Sequence, residues 1–364
     1  MSLLPAISVV LPVYNAEAFV RQAVVSILAQ TFTNFELIAV NDGSTDGSGK
    51  ILRELAAQDS RVVLLDRPNG GLVSVLNEGI QQARAPLIAR MDADDVAMPE
   101  RFALQYARMT AEPKLGVLGS FIRIIDEAGR FVRIGNYPVT PEATARFLEH
   151  GPPVAHPSVM VRKEALMKAG GYRAVFSHCE DYDLWLRISE LGYAIANLPK
   201  PLLNYRVHSV SVSALHREAQ EMGAIMARLA HRCRKAGLPD PVEGLEKLDP
   251  SVIQTVPADF RQDLEAALFV LRHSRVSLAS EAVVNAAWLN YQKLGEVAKK
   301  EPVMSGFLMR LLNGAVRNRS YGLASKAFVE SFRLHPIDTS SLLWRKFIAR
   351  IVQPLFYKFP VRWS

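Results

Sequence analysis

The sequence predicts an α/β protein: a mostly parallel, helix-flanked central sheet in residues 1–214, followed by a mainly α-helical region in residues 215–364. Three observations predict it. Between Ile7 and Met91, short apolar runs rich in β-branched residues alternate with segments of helical periodicity. Each apolar run ends in a cluster of polar and turn-forming residues. From Leu215 onward the helical period continues almost without a break. Strands separated by helices of ~10–15 residues indicate βαβ units, and hence a parallel sheet covered on both faces.

The elements follow in order. Ile7–Leu11 is a strand, Ala16–Leu28 a helix and Phe35–Val40 a second strand. Asp42–Asp46 is a turn cluster opening a helix to about Ala57, with Ser44 as its expected N-cap. Val62–Leu65 is a third strand, Gly71–Ala83 a helix and Leu87–Met91 a fourth strand. The stretch from Gly116 to Ser213 mixes short strands, including Ser158–Arg162, with a helix stop at Gly170-Gly171-Tyr172. Glu180–Leu191 is a helix, apolar around most of its circumference, so it is expected to be buried. Leu238-Pro239-Asp240-Pro241 and Leu248-Asp249-Pro250 read as boundary or linker signals.

Composition narrows the class. Hydrophobic residues make up 49% of the 364, which excludes a mainly disordered chain. Cys179 and Cys233 are the only cysteines, so no disulfide framework is available and a reducing compartment fits best. The N-terminus lacks the basic and cleavage features of a signal peptide, and no apolar run is long enough to span a bilayer. The chain is therefore expected in the cytoplasm or on the cytoplasmic face of a membrane. The net charge is +7, with 21 Lys+Arg against 22 Asp+Glu in residues 1–214 and 22 against 14 in residues 215–364. A neutral catalytic part and a basic accessory part are implied. Leu343, Trp344, Phe347, Ile348, Ile351, Val352 and Leu355 recur at helical spacing beside Arg345, Lys346 and Arg350. That pattern suits either a packed helix or an interfacial helix on an anionic membrane.

In parallel α/β sheets ligands gather outside the carboxyl ends of the strands. Those ends carry Pro12-Val13-Tyr14-Asn15, then Asn41-Asp42-Gly43, then Asp66–Gly71, then Asp92-Ala93-Asp94-Asp95. Each cluster is ordinary turn chemistry by itself; four on one edge point to a ligand. Three carboxylates within four residues repel one another, and a hard divalent cation such as Mg²⁺ or Mn²⁺ would neutralise them, a solvated acidic turn being the alternative. Glu180 and Asp181 open a helix, where the macrodipole favours an ionised carboxylate. Such a group can serve as a general base or simply cap the helix. His156 and His208 carry weaker signals, each compatible with a structural role.

The segments Pro12–Ser48, Ala89–Phe102, Cys179–Ile188 and Tyr205–His208, in that order and at those separations, resemble the family 2 glycosyltransferases of the GT-A fold. The resemblance covers roughly Ile7 to Ser213. It implies an inverting transferase, hexosyl or N-acetylhexosaminyl in type, that takes its sugar from a nucleotide-diphosphate donor, most often a UDP-sugar. The acceptor would be a saccharide or lipid-linked hydroxyl in surface polysaccharide or lipopolysaccharide synthesis. It implies that Pro12, Tyr14 and Asn15 lie beneath the nucleotide, that Asp42 recognises the base, and that Arg67 and Asn77 complete the nucleoside pocket. By the same resemblance Arg90 meets the diphosphate, and Asp92 and Asp94 form the DxD pair that binds Mn²⁺ or Mg²⁺ with His208. Asp181 matches the catalytic base, with His156 and Glu180 on the acceptor side. The competing readings are a catalytically silent sugar-nucleotide-binding or scaffold protein on the same fold, and a nucleic-acid binder suggested by the basic charge. No nucleic-acid recognition motif supports the latter.

Overall fold

The computed structural model describes residues 4–207 and 217–248 and, in the C-terminal part, chiefly 276–294 and 303–334. His208 and the expected helix around Leu343–Leu355 lie outside the described residues. The chain forms two compact units, Met1–Pro257 and Ala258–Ser364.

The first unit begins as read from the sequence: β1 (Ile7–Val13), α1 (Val20–Leu28), β2 (Phe35–Asp42), α2 (Ser48–Gln58), β3 (Val62–Arg67), α3 (Leu72–Gln82) and β4 (Leu87–Arg90). It continues through β5 (Val96–Ala97), α4 (Arg101–Ala111), β6 (Leu115–Ile125), β7 (Phe131–Gly135), α5 (Pro141–Leu148), β8 (Met160–Arg162), α6 (Lys163–Lys168), α7 (Glu180–Glu190), β9 (Ala194–Arg206) and α8 (Arg217–Lys235). The strand order is β3-β2-β1-β4-β8-β6-β9-β5, with β7 paired to β6. The strands β3, β2, β1 and β4 are parallel; β8 runs antiparallel to both β4 and β6, while β6 and β9 are parallel.

Apart from the hydrogen-bonded Ser8–Glu36 pair and the polar end of β2 at Asn41 and Asp42, β1 and β2 are apolar on both faces because both faces are covered. Ile7, Val9 and Leu11 of β1 join Val20, Val24 and Ile27 of α1 and Leu52 and Leu55 of α2 in one core. On the other face Gly79 of α3 lies so close to Val10 that an added Cβ would sit 2.5 Å from its Cγ1. Burying each such Val, Leu or Ile contributes about 1.5–3 kcal/mol. Pro12 is tolerated in this central strand for a geometric reason. The Val10 carbonyl accepts the Met91 N–H, so even-numbered residues of β1 face β4. The β1–β4 ladder ends at Val10 and Arg90, so the missing N–H of Pro12 falls where β4 has turned away.

Two expectations change. Ser44 does not cap α2, which starts at Ser48 after Gly47; its Oγ instead accepts the Asn15 N–H at 3.1 Å. The compact unit that ends at Pro257 includes α8, which packs on α7. Arg173 and Arg234 both bind Asp240, at 2.8 and 2.5 Å, so the Leu238–Pro241 stretch is part of the first unit's ion-pair network and not a linker. The second unit is helical, as expected. Its core joins Val284, Ala287 and Tyr291 of α9 (Glu281–Gln292), Phe307, Leu308 and Leu311 of α10 (Val303–Arg317), and Ala324 and Ala327 of α11 (Tyr321–Leu334). Among the described residues no helix is long and apolar enough to cross a membrane.

Candidate active site

The loops after β1, β2 and β3 are laced together at the carboxyl edge of the sheet. Asn15 adopts φ 48°, and its Oδ1 accepts the Thr45 N–H at 2.8 Å, tying the β1–α1 loop to the β2–α2 loop. The Asp42 carboxylate accepts the N–H groups of Gly70 and Gly71 at 2.8 and 2.9 Å and lies 3.3 Å from the Arg67 guanidinium. Gly43, at φ 69°, lets this turn approach the Asn69 backbone, where a Cβ would be 2.6 Å from the Asn69 nitrogen. Asp42 thus shapes the β3–α3 loop, while Tyr14 stands 55% exposed at the edge. Arg67 is itself held by Glu78 at 2.6 Å.

The loop after β4 carries the acidic triad. One carboxylate oxygen from each of Asp92, Asp94 and Asp95 lies within 4.8 Å of the others. Arg90, 5% exposed, pairs with both oxygens of Asp92 at 2.5 and 2.7 Å. Burial raises the Asp92 carboxyl above its ordinary range, and Arg90 opposes that rise. Asp95 is pushed well above the carboxylate range by burial and then by the charges of Asp92 and Asp94. Its Oδ1 accepts the Arg206 N–H at 2.9 Å, and its Oδ2 is buried without a hydrogen-bond partner. Three hard oxygen donors that repel one another, one ending in an orphaned buried oxygen, fit a divalent cation.

The N-terminus of α7 supplies the second acidic group. Asp181 Oδ1 accepts the Tyr182 N–H at 2.8 Å. Burial raises the Asp181 carboxyl, with the Tyr182 N–H and the Arg90 charge pulling it back. Glu180 is 5% exposed, and burial, followed by the charge of Asp181, lifts it to about 7. A carboxyl raised on folding binds more protons folded than unfolded, so stability falls as pH rises from 4.5 towards 7 through that window. Glu180→Gln, which cannot ionise, should therefore narrow the gap between melting temperatures measured at pH 5 and pH 8 in chelator. An unchanged gap would show that Glu180 titrates normally.

An aromatic cluster adjoins both acidic groups, Tyr172 lying near Asp92, Glu180 and Asp181. His156 Nε2 is 2.8 Å from the Tyr172 hydroxyl, and its ring packs edge-on to Trp185 at 5.9 Å. Burial, aided by the Arg90 charge, holds the imidazole well below its usual pKa, so it is neutral. Tyr172 is fixed by its backbone: its N–H donates to Asn77 Oδ1 and its carbonyl accepts from Asn77 Nδ2, both at 2.9 Å. The Asn77 amide therefore anchors the Tyr172 backbone. Asn77→Ala should cost about 1–3 kcal/mol of stability by orphaning both groups, and should lower turnover more than nucleotide affinity. Normal melting with weakened UDP binding would instead support the nucleoside-pocket role that the resemblance implies for Asn77.

This arrangement has relatives. The family profile described as Glycosyl transferase family 2 matches residues 8–170. The O-antigen biosynthesis glycosyltransferase WbnJ of Escherichia coli is 36% identical over 214 residues, covering 58% of this chain and 83% of that one. The chain belongs to glycosyltransferase family 2. The amylovoran biosynthesis glycosyltransferase AmsE of Erwinia amylovora is 33% identical over 209 residues, covering 57% of this chain and 78% of the relative. Among solved structures, S. aureus TarS 1–349 in complex with UDP-GlcNAc superposes with TM-score 0.53 at 20% identity, covering 90% of this chain and 91% of that one. The mannosyltransferase PcManGT from Pyrobaculum calidifontis, in complex with GDP-Man and Mn²⁺, superposes with TM-score 0.50 at 16% identity, covering 93% and 89%. These likenesses show the GT-A fold.

In this family 2 glycosyltransferase, Asp92, Arg90, Glu180, Asp181 and Tyr172 are close enough to feel one another's charge. Arg90 is engaged by Asp92, and its Nε is buried without a partner. Pro12, Asp42 and Arg67 lie at the carboxyl ends of β1, β2 and β3, and Tyr14 and Asn15 just after β1. Two residues of the cluster carry no role in the sequence reading: Tyr172, read there only as part of a helix stop, and Arg206. For Tyr172, the aromatic residue directly after Gly170-Gly171 was the available signal, since the positive φ of both glycines forces a turn that aims it inward.

Proposed function

We propose that this glycosyltransferase moves a sugar from a nucleotide-diphosphate donor to an acceptor hydroxyl by a single, inverting displacement. The observation that carries the reading is the meeting of the Asp92, Asp94 and Asp95 triad with Asp181 around Arg90. Asp181 takes the acceptor hydroxyl's proton as that oxygen bonds to the sugar C1. The C1–O bond to the diphosphate breaks on the opposite face, and the nucleoside diphosphate leaves with the electron pair. Asp92 and Asp94, with His208 by resemblance, would hold a Mn²⁺ or Mg²⁺ that offsets the negative charge gathering on the leaving diphosphate. A single carboxylate acting in the chemistry, Asp181, suits inversion, in contrast to the two that glycosidases use. Tyr14, Asn15, Asp42 and Arg67 would shape the nucleoside site.

The relatives act in O-antigen and amylovoran biosynthesis, which supports a surface-polysaccharide setting and a saccharide or lipid-linked acceptor. UDP is the first nucleotide to test, because one fold neighbour holds UDP-GlcNAc; the other holds GDP-Man, so the fold does not choose. Titrating a panel of UDP-, GDP- and dTDP-sugars by calorimetry with Mn²⁺ or chelator tests the reading. One donor class should bind in a metal-dependent way and be slowly hydrolysed. Binding without hydrolysis at any metal concentration would favour the silent, sugar-nucleotide-binding alternative. The basic residues 301–364 are proposed to reach an anionic membrane surface, for which vesicle flotation with and without the residues after Leu334 is the test; equal flotation of the two would sink it.

A further inference from the structure

Arg206 closes β9 and is 4% exposed. Its hydrogen bonds run to three separate parts of the chain. Its backbone N–H donates to Asp95 Oδ1 at 2.9 Å and its Nε to the Asp94 carbonyl at 2.8 Å. One terminal nitrogen donates to the Glu127 carbonyl at 2.8 Å, in the turn between β6 and β7. The other donates to Gln22 Oε1 of α1 at 2.9 Å, and the guanidinium lies 4.8 Å from the Phe19 ring centre. Among the described residues, no carboxylate forms an ion pair with it. A buried cation held by neutral acceptors and an aromatic face costs desolvation that those contacts alone repay poorly. Two of its contacts, the Nε bond to the Asp94 carbonyl and the backbone N–H bond to Asp95, fall on the loop that carries the acidic triad.

We propose that Arg206 is a positioning residue for the metal loop: it fixes the Asp94 backbone and the Asp95 carboxylate so that the triad's oxygens converge on one cation. It touches neither donor nor acceptor and acts through Asp94 and Asp95. The planar fork is required because Nε and both terminal nitrogens are committed in three directions; a lysine ammonium on its flexible stem cannot serve all three. The inference rests on the proposed metal-dependent reading and goes beyond it, since it assigns the shape of the loop to a residue on a distant strand.

The test measures Mn²⁺ affinity without turnover, by the loss of the free Mn²⁺ electron paramagnetic resonance signal on titration with protein and UDP. Wild type, Arg206→Lys and Gln22→Ala are compared, and melting in chelator is recorded for each. Arg206→Lys should weaken Mn²⁺ binding by at least about tenfold, the equivalent of one charge-assisted hydrogen bond. Raising Mn²⁺ should restore donor hydrolysis towards the wild-type rate, a rescue that a merely structural arginine would not show. Gln22→Ala removes one of the guanidinium bonds, leaves the triad intact and should weaken binding in the same direction by less; it serves if Arg206→Lys does not fold. Mn²⁺ affinity equal to wild type in a folded Arg206→Lys, or in Gln22→Ala should that be the only folded variant, overturns the proposal. Failure of the wild type to bind Mn²⁺ would instead overturn the metal-dependent reading beneath it.

Discussion

Asp181→Asn should lower turnover by roughly 10²–10⁴-fold while leaving nucleotide-sugar affinity unchanged. The amide oxygen can still accept the Tyr182 N–H, now held at 2.8 Å, so the start of α7 keeps its shape. What disappears is the capacity to take a proton from the acceptor. Glu180→Gln, one residue away, should reduce turnover less, since Glu180 is buried with one oxygen unpartnered and is proposed to tune Asp181 and line the acceptor side. Steady-state kinetics with the donor found in the nucleotide panel measure both. Near-normal turnover in Asp181→Asn would remove it from the role of base.

The second large effect is expected at the triad. Asp94→Asn should weaken Mn²⁺-dependent donor binding by at least about tenfold, the loss of one charged ligand. Asp95→Asn should do less. Its Oδ1 can still accept the Arg206 N–H, and removing its charge relieves repulsion from Asp92 and Asp94. Calorimetry with and without chelator separates the cases. Identical donor affinity in Mn²⁺ and in chelator would show that the triad binds no functional metal.

The parallel half of the sheet was legible because β2 and β4 are buried along their whole length and β1 at every residue but Pro12, and largely apolar runs mark such strands. β9 was not, because Pro199, Lys200 and Pro201 interrupt its pattern. The structure accommodates them where the β6–β9 register shifts between Ser120 and Phe121, the kind of irregularity at which a sheet tolerates proline. Motif spacing placed the acidic loop and the start of α7 correctly, since both are local. The partners of those groups are not local. Asn77 and Tyr172 are 95 residues apart, and Arg206 meets Asp95 across 111. The same holds for Ser44, an expected helix cap whose hydroxyl is taken by the Asn15 backbone 29 residues away. Likewise α8 joins the first unit through Arg234 with Glu190, and the stretch after it through Asp240 with Arg173, pairs that no composition shift announces.

The stereochemistry of donor hydrolysis tests the single-displacement mechanism most directly, because it needs no knowledge of the acceptor. Proton NMR spectra recorded within the first minutes after adding enzyme to an α-linked nucleotide-sugar and Mn²⁺ show which anomer is released before mutarotation. A base that activates the attacking oxygen opposite the leaving diphosphate predicts the β-anomer first, with no signal from Asp181→Asn. Initial release of the α-anomer would contradict the mechanism and require a second displacement.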